Sequence, residues 1–428
     1  MKIRYLFTII LFSSFLGFEQ VAHALPAFAR RENFSCIVCH ENSSAPHLNQ
    51  LGYLYRRMAF HLPGRLGDEK NDEQSMNATN HMAVGVNVGY QYADSIAGNG
   101  VKTVSANGVS VPEVEFWPLV GGLFGNFGVW SEIDSSPSTN TGGGIGIKLA
   151  DVRYAAGTPD LFFNFRAGVI APEGFGASDQ WLDDGNIPLM DVLAANRNQN
   201  TMVSPFGAMN SPEEGVEVGA NYKSSHLTVG LYNGWTDVTT NADGTLSQAT
   251  SLQMASLKHN DQGMRDYRIQ LDQFVGDVGA ITAGYYHGTV PLTLPQNNTT
   301  FWLDHFSQAR LYLTAFAIPG KLDLFAGGAW GQSEFVSDNP TPDGSFTSKG
   351  AFVGANYYVA QHLTLGGRVD RTEFSSDDSA TGVSLQASLP YNNTIFIFHY
   401  NHSASSLASG PLQAGWNNDI GFVLRFLL

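Results

Sequence analysis

The stretch Met82-Ala83-Val84-Gly85-Val86-Asn87-Val88-Gly89-Tyr90-Gln91-Tyr92 alternates large apolar residues with small or polar ones. Successive side chains of an extended chain point to opposite faces, so a period of two sorts the stretch into two rows. One row is Met82, Val84, Val86, Val88, Tyr90 and Tyr92; the other is Ala83, Gly85, Asn87, Gly89 and Gln91. A strand with one apolar face and one small, polar face suits the wall of a transmembrane barrel, with lipid outside and a lumen inside.

The pattern recurs along the chain. Val216, Val218, Ala220 and Tyr222 oppose Glu217, Gly219 and Asn221; Leu363, Leu365, Gly367 and Val369 oppose Thr364, Gly366, Arg368 and Asp370; Val383, Leu385, Ala387 and Leu389 oppose Ser384, Gln386 and Ser388. Sixteen candidate strands start near residues 81, 110, 124, 145, 160, 213, 225, 264, 278, 305, 320, 346, 361, 379, 393 and 417. Tight turns are expected after every second strand, around Gly121-Gly122, Gly157-Thr158-Pro159, Lys223-Ser224-Ser225, Val275-Gly276-Asp277, Pro319-Gly320, Ala360-Gln361 and Tyr391-Asn392. Longer connections fill the alternate places, the longest from Ala171 to Ser211. This is the layout of a bacterial outer-membrane barrel, and an even strand number puts both termini on the short-turn, periplasmic side. The last strand, with Phe422, Leu424, Phe426 and Leu428 in one row, resembles the end of such barrels. The expected fold is all-β, a 16-stranded antiparallel outer-membrane β-barrel over 81–428. A soluble sandwich or propeller is disfavoured, because outward rows this apolar would aggregate in water and no blade repeat is present.

Composition points the same way. Charged residues make up 14% of the 428 residues, aromatics 12%, and there are 46 glycines. No apolar run of about 18 or more residues follows the N-terminus, which argues against a transmembrane helix. The formal charge of −15 argues against nucleic acid as a partner and is compatible with a surface that attracts cations.

Ahead of the barrel, Lys2 and Arg4, the apolar run Leu6 to Phe18 and the small-x-small site Ala22-His23-Ala24 read as a signal peptide over 1–24. The run is short for a membrane anchor. The mature chain is then expected to begin at Leu25. Cys36-Ile37-Val38-Cys39-His40 follows, with the only two cysteines of the chain. A two-residue spacer and a following histidine form the attachment pattern of a c-type haem, with two thioether sulfurs and an axial imidazole. Two exported cysteines can also pair as a disulfide. A zinc-thiolate site would need further ligands in a matching pattern, and a thioredoxin-like motif a βαβ context; neither is evident. The expected cofactor is one haem c on Cys36, Cys39 and His40.

A helix is predicted from Pro46 to about His61, with Leu48, Leu51, Tyr55 and Met58 on one apolar face and Arg56 and Arg57 away from it. Pro63-Gly64 ends it, and 67–80 reads as a polar linker. The segment 25–80 is too small for a rich core, which a covalent haem would supply. The distal ligand stays open among Met58, His61 and Met76, with His81 and Met82 also within reach. Each has a plain alternative: core packing for Met58, a helix end for His61, a solvated linker for Met76.

The run Leu25-Pro26-Ala27-Phe28-Ala29-Arg30, the Cys36/Cys39/His40 motif and Pro46-x-Leu48-Asn49-x-x-Gly52-x-x-Tyr55-Arg56 together resemble the N-terminus of the fused monohaem cytochrome–porins. The resemblance covers roughly 25–60. Where that family usually has a Gly-aromatic pair, this chain has Ala59-Phe60. Its best-known members are outer-membrane iron oxidases. The resemblance therefore implies an oxidoreductase that passes electrons from extracellular Fe(II), through one haem, to a periplasmic carrier such as a cytochrome c.

Glu113, Glu115, Glu132, Arg166, Glu217, Arg268, Asp272, Arg310, Arg368, Asp370 and Arg425 are expected to face the lumen, where opposite charges solvate a channel. Asp179, Asp183, Asp184 and Asp191 gather with Trp181 in the longest loop; they read either as a solvated acidic loop or as an entrance for Fe(II), since carboxylates ligate divalent cations. The haem segment joins the first strand from the periplasmic side, so it sits in or at the lumen or hangs below it. Two other functions stay in play: a diffusion porin for small ions with a haem-bearing plug, and a periplasmic cytochrome scaffold tethered by its barrel.

Overall fold

The computed structural model describes residues 26–35, 38–40, 48–67, 80–96, 100–109, 113–122, 125–136, 144–170, 173, 213–233, 238–240, 246–248, 266–293, 301–337, 344–360, 363–374, 379–391, 394–406 and 415–427. Two short helices, α1 (Pro26–Glu32) and α2 (Gln50–Arg57), precede the sheet. The strands are β1 (Ala83–Ile96), β2 (Lys102–Val109), β3 (Glu113–Gly122), β4 (Phe127–Ser136), β5 (Gly144–Gly157), β6 (Leu161–Ile170), β7 (Glu213–Tyr222), β8 (Ser225–Tyr232), β9 (Val238–Thr240), β10 (Leu246–Gln248), β11 (Asp266–Phe274), β12 (Gly279–Thr293), β13 (Phe301–Ile318), β14 (Leu322–Ser337), β15 (Gly344–Ala360), β16 (Leu363–Phe374), β17 (Ser379–Tyr391), β18 (Thr394–Ser406) and β19 (Gly415–Leu427).

Seventeen of these strands form one sheet, every neighbour antiparallel, and the β1–β19 pairing closes it into a barrel. β9 and β10 form a separate hairpin within the connection from β8 to β11. β2 pairs with the upper part of β1, from Tyr90 to Ile96, and β3 with the lower part, from Ala83 to Asn87. They are two halves of one interrupted stave, so the closed wall has 16 staves. This stave, expected to start near 110, begins earlier with Lys102–Val109, whose Lys, Asn, Ser and Thr content hides the apolar alternation. The other starts agree to within a few residues.

The two faces sort as the period of two requires. In β11, Tyr267, Ile269 and Leu271 are exposed while Asp266, Arg268, Gln270 and Asp272 are buried inside. Phe163, Val218, Leu231, Val353 and Phe398 likewise stand on the exposed outer wall. An outer surface this apolar is stable against lipid tails and would aggregate in water. No helix among the described residues is long and apolar enough to cross a membrane.

The short connections lie at one end of the staves, and both the start of β1 and the end of β19 lie there too, with Gly85 opposite Leu427. The N-terminal segment enters the lumen from this end. Ala27 joins Ala83, Trp117 and Val120 in a small buried cluster with Phe28 and Trp130 against it; Tyr53 joins Phe274 and Ala280 in another, with Phe316 against it. The segment therefore leans on the inner wall from β1 round to β13.

Candidate cofactor segment in the barrel lumen

α2 is shorter than the predicted helix. It begins at the cap Asn49, whose Oδ1 accepts from the Gly52 amide at 3.0 Å, and it ends at Arg57. Ala59 and Phe60 then take positive φ, 53° and 61°, which an α-helix cannot continue through. Pro46 lies outside the described residues.

The bend has a cause in packing. The Phe60 ring stacks on Trp130 of β4 at 5.7 Å and on Phe28 of α1 at 5.1 Å, and the Arg153 guanidinium lies over it at 4.5 Å. The Ala59 carbonyl packs directly on Gly128 of β4, where any Cβ would overlap it. Arg31 of α1 donates to the Phe60 and Gly122 carbonyls and to the Tyr55 hydroxyl, which ties α1, α2 and β3 together.

Arg57 is expected away from the apolar helix face, and the structure shows that this second face is packed as well. Arg57 is almost fully buried, because the inner wall is itself polar and offers partners to the second face of the helix. Its Nη1 donates to Thr228 Oγ1 at 3.3 Å, Nη2 donates to the Glu173 carbonyl, and Nη2 lies 3.7 Å from Asp272 Oδ2. Tyr53 donates to the same Asp272 oxygen at 2.6 Å. Glu173 lies just beyond β6, at the start of the longest connection. Its carboxylate meets Arg153 at 2.7 Å and Arg166 at 3.4 Å, with Arg56 at 4.0 Å and Arg57 at 3.9 Å. Burial pushes this carboxyl up, but Arg153, Arg166, Arg56 and Arg57 outweigh that and hold it well below the ordinary carboxylate range. Arg57 and Glu173 thus join the plug, entering from the short-turn end, to the root of the longest loop. The sequence marks Arg57 only as polar and off the apolar helix face, and no local pattern marks Glu173.

The motif itself is described at Val38, Cys39 and His40; Cys36 lies outside the described residues. Cys39 carries a free, half-buried thiol. Burial, with Glu32 adding to it, pushes this thiol up to about 11. His40 is half-buried and bridges to Leu48 just ahead of α2. Cys39 and His40 sit on backbone that is held in place, and a thiol followed by an imidazole is the donor set that would hold a c-type haem.

Among the distal candidates, Met58 is wholly buried at the C-cap of α2. His61 is buried against Gly122, and its Nδ1 lies 3.2 Å from the Met58 carbonyl. His81 Nδ1 contacts the Val120 carbonyl at 3.1 Å, so that ring belongs to the β1–β3 seam. Met76, Asp179, Trp181, Asp183, Asp184 and Asp191 lie outside the described residues. The lumen-facing assignments agree for Glu115, Glu132, Arg166, Glu217, Arg268, Asp272, Arg310, Arg368 and Asp370, all buried inside, and for Arg425, which reaches Glu115 and Asn87. The Glu113 side chain lies outside the description.

No family model and no curated protein matches the chain. Among solved structures, the trimer form of OmpT, an outer membrane protein of Vibrio cholerae, is similar with a TM-score of 0.48 and 11% identity, over 81% of this chain and 100% of that one. An anion-selective porin from Comamonas acidovorans gives 0.47 at 10% identity, over 81% and 98%. OprB of Pseudomonas putida gives 0.48 at 11% identity, over 81% and 94%. Likenesses this low carry no argument about what this chain binds or moves.

Proposed function

We propose that the chain is a porin-like outer-membrane barrel whose own N-terminal segment occupies the lumen, and that this segment carries one c-type haem for electron transfer from an extracellular donor, Fe(II) by preference, towards a periplasmic carrier. The barrel half of the reading has the more direct support: a closed antiparallel wall, an apolar exterior and a docked plug. The observation that carries the electron-transfer half is the Cys36/Cys39/His40 motif on a segment fixed to the inner wall through Tyr53–Asp272 and Arg31–Gly122.

A bound c-type haem supplies one-electron transfer. The chain's part is to attach it at Cys36 and Cys39, to offer His40 to the iron, and to hold that backbone inside the membrane wall. Outer-sphere transfer needs no general acid or base. Met58, His61 and Met76 stay candidates for the distal ligand, and Asp179, Asp183 and Asp184 for the donor's entrance. The wall contacts of α1 and α2 favour a plug over a domain hanging free below the barrel.

The second reading, a porin for small ions with a haem-bearing plug, draws on the same barrel architecture. Two measurements on the purified protein separate the readings. A haemochrome spectrum and redox titration of wild type, Met58→Ala, His61→Ala and Met76→Ala should show one covalent haem whose potential shifts in one variant. Planar-bilayer conductance should be small. Free conductance with no covalent haem would leave only the porin reading.

A further inference from the structure

Three successive carbonyls of the haem motif converge on one residue. Asn49 Nδ2 donates to the Val38 carbonyl at 3.0 Å and reaches the His40 carbonyl at 3.5 Å, and the Asn49 backbone amide donates to the Cys39 carbonyl at 2.9 Å. With its remaining polar atom, Oδ1, the same side chain caps α2 through the Gly52 amide at 3.0 Å. Gly52 completes the arrangement. A Cβ there would overlap the Cys39 carbonyl oxygen and lie 2.9 Å from Leu48 Cδ2, so the first turn of α2 packs directly on the motif backbone. The antiparallel bridge between His40 and Leu48 adds a further tie.

We infer that Asn49 is a positioning residue for His40. Resting on the haem reading above, its role is to fix the backbone on both sides of Cys39, and through it the direction in which the His40 imidazole meets the iron. Capping alone asks less of this position. Ser, Asp and Asn cap helices about equally well, but only Asn also carries an amide NH₂ that can donate to carbonyls behind it. Asp would aim a carboxylate oxygen at the Val38 and His40 carbonyls; Ser would leave them without that donor.

Asn49→Ser and Gly52→Ala test this in the full-length, haem-loaded protein, read by electron paramagnetic resonance of the ferric form and by redox titration. Asn49→Ser keeps the cap and the net charge, so a helix-capping role predicts an unchanged spectrum and potential. The positioning role predicts altered g values and a shifted potential in Asn49→Ser, with a change of the same kind in Gly52→Ala, which displaces the Cys39 carbonyl and leaves Asn49 intact. Covalent haem with wild-type spectra in both variants would overturn the inference and leave the haem reading standing. Wild-type protein without covalent haem would overturn the haem reading, and the inference with it. If Asn49→Ser does not assemble, Gly52→Ala alone decides by the same criterion.

Discussion

The Tyr53 hydroxyl donates a 2.6 Å hydrogen bond to Asp272, a barrel residue 219 positions further along the chain. The same carboxylate accepts from Thr282 Oγ1 at 2.6 Å and from Gln270 Nε2 at 2.9 Å. A wall residue with its own wall partners thus also holds the plug. Tyr53→Phe removes one bond to a buried charged acceptor, which typically costs about 1.5–3 kcal/mol. The wall partners soften this, so docking should weaken towards the low end. The check is single-channel recording: Tyr53→Phe should raise the frequency of open events over wild type without changing barrel assembly.

Glu173→Gln should act more strongly. Four guanidinium groups surround this carboxylate, and leaving buried charges uncompensated costs about 3–5 kcal/mol. The expected outcome is faster amide exchange in α2 together with higher conductance. A change confined to the longest loop, with α2 protected as before, would show that Glu173 does not hold the plug.

Acid should loosen the plug in two stages. Burial, and then the nearby Arg31, push His61 below its ordinary value, while Glu32 opposes this. The neutral ring is therefore the docked form. Its contribution is complete above about pH 6.5, the ordinary histidine value, and is lost as pH falls below that. Glu173 is depressed as well, so its contribution is present above about pH 4.3 and is lost only in stronger acid. Conductance should rise as pH falls below about 6.5, and His61→Gln should flatten that rise. An unchanged pH profile in His61→Gln would contradict the assignment.

Gly128→Ala should undock the bend at Ala59, since any Cβ at 128 overlaps the Ala59 carbonyl. Gly328→Ala is the control, because its nearest contact, the Gly350 carbonyl oxygen at 3.7 Å, is ordinary packing. Limited proteolysis of the N-terminal segment should be faster in the first and unchanged in the second.

The wall was legible in the sequence because each stave repeats the same demand, apolar outside and small or polar inside, and because turns are local. Lys102–Val109 escaped because its polar side chains do not show the alternation. The plug was legible only as far as local pattern reaches. Tyr55 stands out by helical spacing, and Asn49 and Gly52 only through the family resemblance, but their tasks do not, since Asn49 serves the motif carbonyls and Tyr55 serves Arg31 and Glu32. Arg57 and Glu173 meet across 116 residues of sequence, and a buried ion pair of that kind leaves no periodic trace. The helix ended earlier than its apolar spacing suggested because Phe60 is drawn onto Trp130, a partner supplied by the barrel.

The central claim is that electrons cross the barrel through the Cys36/Cys39/His40 segment. Its most direct test uses vesicles with the protein in the membrane, a ferric cytochrome c trapped inside and a membrane-impermeant Fe(II) chelate added outside. Each external Fe(II) oxidised should appear as one trapped cytochrome reduced, and a Cys36→Ala/Cys39→Ala variant that still forms the barrel should abolish the signal. A trapped carrier that stays ferric with wild-type protein while small ions cross the vesicle wall would contradict the account and leave a porin.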